Sequence, residues 1–317
     1  MLLEKVGGDK YMLCRIPGIV ITEENTLLAY YECRSSLSDW AQIDIKIIRS
    51  TDFGDTWETV TVIPGEGNTL NNPVMFVKGH ELHFLYLKNY KELFHCVSTD
   101  DGKTFSTPEE RTFACDFFYN VVAVGPGHGI VHNGTMIVPV WFAQNETDPK
   151  AHGPSIISTL YSKDGIHWSL GEIIGEDMFR NPSECALAVT KENQVLISIR
   201  NENDCRQRAF AISENGYCNW KNLHFAANMS DPICMGSMCH ENGIIYHINC
   251  DHSSARENLT IKSSYDCFET YEAAYVDSPA GYADMAIKNG TYYVLYERFS
   301  PDNEFNLSQG GLYFKKI

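Results

Sequence analysis

Basic residues are scarce in this chain: 25 Lys and Arg stand against 41 Asp and Glu, a formal net charge of −16. A surface of that sign repels phosphate backbones and argues against nucleic acid as a partner. No run approaches the 18 apolar residues of a membrane-spanning helix, so no membrane partner is expected. The 11 cysteines are odd in number, irregularly spaced and without a C-x-x-C pair. That argues against a disulfide framework or a structural zinc site and favours a reducing compartment. Met1-Leu-Leu-Glu-Lys5 lacks the charged-then-apolar pattern of a signal peptide, so a cytoplasmic location is expected. The alternative, a secreted chain that has lost its leader, stays open, because N-x-S/T sequons begin at Asn133, Asn145, Asn228, Asn258, Asn289 and Asn306. Glycine (23) and proline (12) are near ordinary usage, which excludes collagen-like and disordered classes. No convincing amphipathic helix longer than a turn or two can be read.

What the chain does have is a repeat. Ser50-Thr-Asp52-Phe-Gly54-Asp-Thr56-Trp57 recurs as Ser98-Thr-Asp100-Asp-Gly102-Lys-Thr104-Phe105. A shortened copy is Ser162-Lys-Asp164-Gly165-Ile-His-Trp168, and degenerate copies begin at Ser213 and Ser264, the last with Phe268 in place of glycine. The first serines are separated by 48, 64, 51 and 51 residues. Asp followed by Gly is turn chemistry: the carboxylate accepts nearby backbone N–H groups and glycine takes positive φ. Between these turns lie short strands such as Ile43–Ile48, Leu82–Tyr86, Met136–Val140 and Val195–Ile199, and turn pairs Asn133-Gly134, Asn242-Gly243 and Asn289-Gly290. Strand–turn–strand units of about 50 residues predict an all-β, six-bladed β-propeller forming one domain over residues 1–317, with one blade lacking the turn motif. The shortened third copy and the lost glycine at Phe268 are read as structural drift.

These turns resemble the Asp boxes (BNR repeats) of the sialidase/neuraminidase superfamily, whose fold is a six-bladed propeller. Arg15-Ile-Pro17 resembles the R-I-P motif that opens the first blade of sialidases, and Glu32-Cys-Arg34 and Ser38-Asp39-Trp40 resemble the next catalytic elements. The likeness continues through Gly125–Gly129, Cys234-Met-Gly-Ser237 and Tyr296-Glu297, and is nearest to the bacterial branch. It implies exo-α-sialidase activity on a sialylated oligosaccharide or glycoconjugate, with no cofactor, metal or obligate protein partner. Glycosyl transfer of the trans-sialidase type, a non-catalytic glycan-binding propeller and a scaffold for protein partners remain as other readings.

The chemistry implied by the resemblance assigns each residue a task. A sialic acid carries a carboxylate at its anomeric carbon, and arginine forks bind carboxylate well. Arg15, Arg200 at the end of Val195–Arg200, and Arg256 in Ala255–Ile261 are the expected cluster, converging from strand ends of different blades. Surface or inter-blade ion pairs are the plainer alternative for each. A carboxylate nucleophile would approach the substrate's own carboxylate, and sialidases are a known exception that uses tyrosine. Tyr282 in Ala280-Gly-Tyr-Ala-Asp-Met-Ala286 resembles that nucleophile, and Glu184 in Asn181-Pro-Ser-Glu184 resembles its base. Asp39 is the expected acid/base, its carboxyl raised by apolar Leu37, Trp40 and Ala41; Asp44 is its rival, read as a structural strand residue. Arg34 is expected to face the substrate and Glu297 to hold Arg15. Many sialidases carry an aspartate on the N-acetyl side where this chain has Asn71-Asn72-Pro73, so Asn72 leaves the acyl preference open. Gly125-x-Gly127-x-Gly129 opens no helix and is not a dinucleotide site. His128 and His132 are read as core or turn residues, and Asp100-Asp101 as turn chemistry instead of a calcium site.

Overall fold

The computed structural model describes residues 1–8, 10–298 and 310–317, so the sequon at Asn306 lies outside it. Among the described residues the regular elements are all β-strands, gathered into six antiparallel sheets with one short parallel addition. The first blade pairs Leu13–Ile21, Leu27–Arg34, Ile43–Ser50 and Glu58–Ile63 in chain order. The innermost strands of the next five are Leu70–Lys78, Val121–Val124, Ala186–Val189, Ser237–Glu241 and Ala283–Lys288. Successive blades meet around a ring, the third touching the fourth through Ile130–His132 and Thr135–Ala143, and the innermost strand of the last meets that of the first. Closure is made by the N-terminus: Leu2–Lys5 pairs with Gly311–Lys316, setting Leu2 opposite Tyr313 and Lys5 opposite Gly311.

All five turn motifs join the third and fourth strands of successive blades. In the first, Asp52 accepts from Ser50 Oγ at 2.7 Å, Thr56 N at 2.9 Å and Thr56 Oγ1 at 2.6 Å. Each turn is pressed against the preceding blade. A Cβ at Gly54 would lie 2.2 Å from Phe314, one at Gly102 2.6 Å from Leu28, and one at Gly216 2.8 Å from Ile137. The fifth turn makes the same contact differently. Phe268 adopts φ 70°, is buried, and stacks on Phe210 of the preceding blade with ring centroids 5.3 Å apart. Its loss of glycine is therefore a packing substitution, not drift.

Apolar side chains of adjacent sheets fill the space between blades, as Phe76, Leu85, Val138 and Phe142 do between the second and third. The Asn-Gly pairs at 133, 242 and 289 form tight hairpins with both residues at positive φ. Gly127-His128 forms a short strand parallel to Leu70–Lys78, not a helix start. All eleven cysteines are free thiols, with Cys14 and Cys33 facing each other across two strands at 3.5 Å between sulfurs.

Candidate active site

At one end of the propeller axis a cavity of about 320 Å³ is lined by eight of the nine residues singled out in the sequence. The ninth, Glu297, stands directly behind its wall. Arg15 lies in Leu13–Ile21, where the strand bulges between Arg15 and Gly18 and Ile16 takes φ 58°. Glu297, fully buried at the end of Thr291–Glu297, receives Arg15 Nε at 3.0 Å, Arg15 Nη2 at 3.2 Å and the Ile16 N–H at 3.0 Å. Two carboxylate oxygens and a backbone donor thus fix the plane of the guanidinium. The Glu297 backbone also brackets Tyr282, donating to the Tyr282 carbonyl and accepting the Gly281 N–H, each at 2.8 Å.

Tyr282 is the centre of the arrangement. The Cζ atoms of Arg15, Arg256 and Arg200 lie 5.0, 5.4 and 6.0 Å from its ring centroid. Its hydroxyl donates to Glu184 Oε1 at 2.8 Å and accepts from Arg200 Nη1 at 2.8 Å. Arg200 Nη1 also bonds Glu184 Oε2. Burial raises the phenol above its ordinary value, outweighing the three guanidiniums that lower it, so its deprotonation calls for a base. Arg200 follows its strand directly, as read from the sequence, whereas Arg256 sits in the loop between Ile244–Cys250 and Leu259–Ser264. That loop is tied to the tyrosine segment by Ala280 N donating to the Arg256 carbonyl at 3.2 Å.

The opposite wall departs from expectation in one respect. Arg34 is buried and paired with two carboxylates, with Nε on Glu32 Oε2 at 2.8 Å and Nη1 on Asp39 Oδ1 at 2.5 Å. Partial burial pushes the Asp39 carboxyl up, but the Arg34 charge and hydrogen bond prevail and hold it below its usual value. The sequence reading had apolar neighbours raising it. The pairing with Arg34 decides the sign, and Trp40 turns its ring away onto Tyr90, centroids 4.8 Å apart. Asp44 is outside the cavity, accepting Tyr11 Oη at 2.7 Å and Gly65 N at 2.9 Å. Asn72 takes φ 52° and donates its backbone N–H to Glu32 Oε1 at 2.8 Å. The Tyr90 N–H can only donate, so Asn71 Oδ1 accepts it and Asn71 Nδ2 donates to Asn72 Oδ1. That leaves the Asn72 Nδ2 donor for the cavity.

Tyr90, Trp141, His152, Asn181 and Glu202 also line the cavity and were not read from the sequence. Trp141 looks like any core residue of its apolar strand, and Tyr90 and His152 come from turns with no periodic signature. Glu202, two residues beyond Arg200, was within reach of local context.

The fold and the site together define a propeller with a cationic pocket built around a base-paired tyrosine. Residues 58–294 match the family described as BNR repeat-like domain, and the chain belongs to this BNR-repeat family of the sialidase superfamily. It is 26% identical over 305 residues to a sialidase of Bacteroides fragilis, covering 82% of this chain and 54% of that protein. The chain thus spans about half the length of that curated relative. Among solved structures, the Hadza microbial sialidase Hz136 superposes with a TM-score of 0.83 at 22% identity, covering 100% of this chain and 68% of that one. A Trypanosoma rangeli sialidase held as its covalent intermediate with 2,3-difluorosialic acid gives a TM-score of 0.74 at 18% identity, covering 96% and 54%. At those identities the structural likeness establishes the fold.

Proposed function

We propose that this protein is an exo-α-sialidase, hydrolysing a terminal sialic acid or related nonulosonic acid with retention through a covalent tyrosyl intermediate. The observation that carries the reading is Tyr282 itself: hydrogen-bonded to Glu184 and ringed by three arginines. The arginines bind the substrate carboxylate, which sets the anomeric carbon above the phenol oxygen. Asp39 in its acid form gives a proton to the leaving oxygen as Tyr282 Oη bonds to that carbon and passes its own proton to Glu184. Arg200, already donating to the phenol oxygen, offsets the charge developing there. Asp39, now a carboxylate, then takes a proton from water, whose oxygen displaces the tyrosine, and Glu184 returns the proton to Tyr282. The single ring of blades supports one domain over residues 1–317.

The test is hydrolysis of α-sialosides of 4-methylumbelliferone and of lactose, with NMR of the first sugar released. Wild type is expected to release the α-anomer, while Tyr282→Phe and Asp39→Ala lose most of the lactoside rate. A wild type that binds sialic acid but cleaves neither substrate would replace this reading with a non-catalytic glycan-binding propeller.

A further inference from the structure

Tyr282 rests on a floor that is held in place from behind the cavity. Its ring packs with Ile16, Cys234, Met235 and Cys250 in one buried cluster. Cys250 Sγ also donates to the Ala280 carbonyl at 3.2 Å, two residues before the tyrosine. Cys234 and Met235 belong to residues 231–236, which lead from Lys221–Ser230 of the fourth blade to Ser237–Glu241 of the fifth. That link is neither strand nor helix, so its path depends on the groups that bind it.

One ion pair binds the link at both backbone groups of a single residue. Arg208, in Gln207–Ser213, and Asp231 are both buried and joined Nη1 to Oδ2 at 2.9 Å. Asp231 Oδ1 accepts the Cys234 N–H at 3.0 Å, and Arg208 Nη1 donates to the Cys234 carbonyl at 3.0 Å. The same guanidinium reaches the strand that delivers Arg200. Its Nε donates at 3.0 Å to the hydroxyl of Ser198, which lies in Val195–Ile199, two residues before Arg200. Ser198 Oγ in turn meets His247 Nε2 of the fifth blade at 2.9 Å.

Cohesion does not account for this pair. Desolvating two charges offsets much of their attraction, and an apolar pair of like volume often leaves a protein as stable or more so. Arg208 Nη2 adds a further cost, being buried without a hydrogen-bond partner among the described residues. What apolar side chains would not supply is the set of bonds to Cys234 and Ser198.

We infer that Arg208 and Asp231 are positioning residues for the nucleophile. They fix the floor beneath Tyr282 relative to Arg200, whose Nη1 bonds the phenol oxygen at 2.8 Å. Neither lines the cavity, so both act through Cys234 and Ser198. Without them the floor relaxes and the phenol oxygen leaves its line to the anomeric carbon; a misplacement of about 1 Å costs about 10²-fold in rate. Arg15, held separately by Glu297, still binds the substrate carboxylate.

This rests on the sialidase reading, and the experiment separates the two. Removing one charge would strand the other in the interior, so the main variant is Arg208→Met with Asp231→Asn. It removes both charges and keeps an acceptor for the Cys234 N–H. Arg208→Lys keeps the charge and loses the fork. Urea midpoint, kcat on the 4-methylumbelliferyl α-sialoside and calorimetric affinity for sialic acid are measured for each. That substrate needs little help from an acid, so its rate reports on the nucleophile. The double variant is expected to keep the wild-type urea midpoint, to bind sialic acid within about threefold of wild type and to lose at least about tenfold in kcat. Arg208→Lys is expected to lie between the two in kcat. A double variant with wild-type kcat, one that loses affinity as much as kcat, or one that does not fold would each overturn the positioning role. A wild type that binds sialic acid and cleaves no sialoside would overturn the sialidase reading instead.

Discussion

The hydroxyl of Tyr282 is clamped between a base and a cation: it donates to Glu184 Oε1 and accepts from Arg200 Nη1, both at 2.8 Å. The two contacts divide the work of activating a phenol that burial has made less acidic. Glu184 removes the proton and Arg200 stabilises the oxygen left behind. Glu184→Gln keeps the shape and removes the base. Its kcat/KM is expected to fall by about 10²–10⁴-fold while sialic acid still binds. Calorimetric binding together with steady-state rates checks this, and a variant within about threefold of wild type would remove Glu184 from the mechanism.

At the axis, His128 Nδ1 meets Asp284 Oδ1 at 2.8 Å, and Asp284 also accepts the Ser237 hydroxyl and the Ile19 N–H. Burial alone would lower the His128 pKa, but the Asp284 charge, its hydrogen bond and the Met238 carbonyl together raise it above 6.5. A folded-state value above the unfolded one means that the stabilisation is complete below about pH 6.5 and is lost as pH rises through the folded value. The difference in urea midpoint between wild type and His128→Asn is therefore expected to shrink from pH 6 towards pH 9. A difference that is constant or grows would show that the imidazole is neutral in the folded protein.

Phe268 sets two effects against each other. Its positive φ costs about 1–2 kcal/mol, while removal of a buried aromatic ring costs about 3–5 kcal/mol. Packing wins, so Phe268→Gly is expected to destabilise the protein by about 2 kcal/mol. Phe268→Ala, which loses the ring and keeps the backbone strain, is expected to be worse. Urea unfolding gives both values, and a glycine variant as stable as wild type would mean that packing of the ring contributes no more than the ~1–2 kcal/mol its positive φ costs.

These residues also show what could be read from the chain alone. Asp–Gly turns at near-regular spacing announced the blades, because the hydrogen bonds of each turn are local and leave a local signature. The sixth blade has no such turn for a topological reason. Its third strand, Gly311–Lys316, pairs with Leu2–Lys5 from the other terminus, so no continuous segment joins them. Arg15, Glu184, Arg200 and Tyr282 stood out through short motifs around them. The pairing of Arg34 with Asp39 did not, because it joins the end of a strand to a loop whose path the sequence does not specify. The sign of the Asp39 shift went with it. His152 was invisible for the same reason: its loop carries no motif, and only the fold brings it to the cavity wall beside Tyr90 and Trp141.

Trapping with 2,3-difluorosialic acid, followed by intact mass and peptide mapping, tests the central assignment most directly. The expected result is one added fluorosialyl group per chain, located on the peptide carrying Tyr282 and absent from Tyr282→Phe. Turnover of the reagent with no adduct, or an adduct on Glu184 or Asp39, would contradict a tyrosine nucleophile.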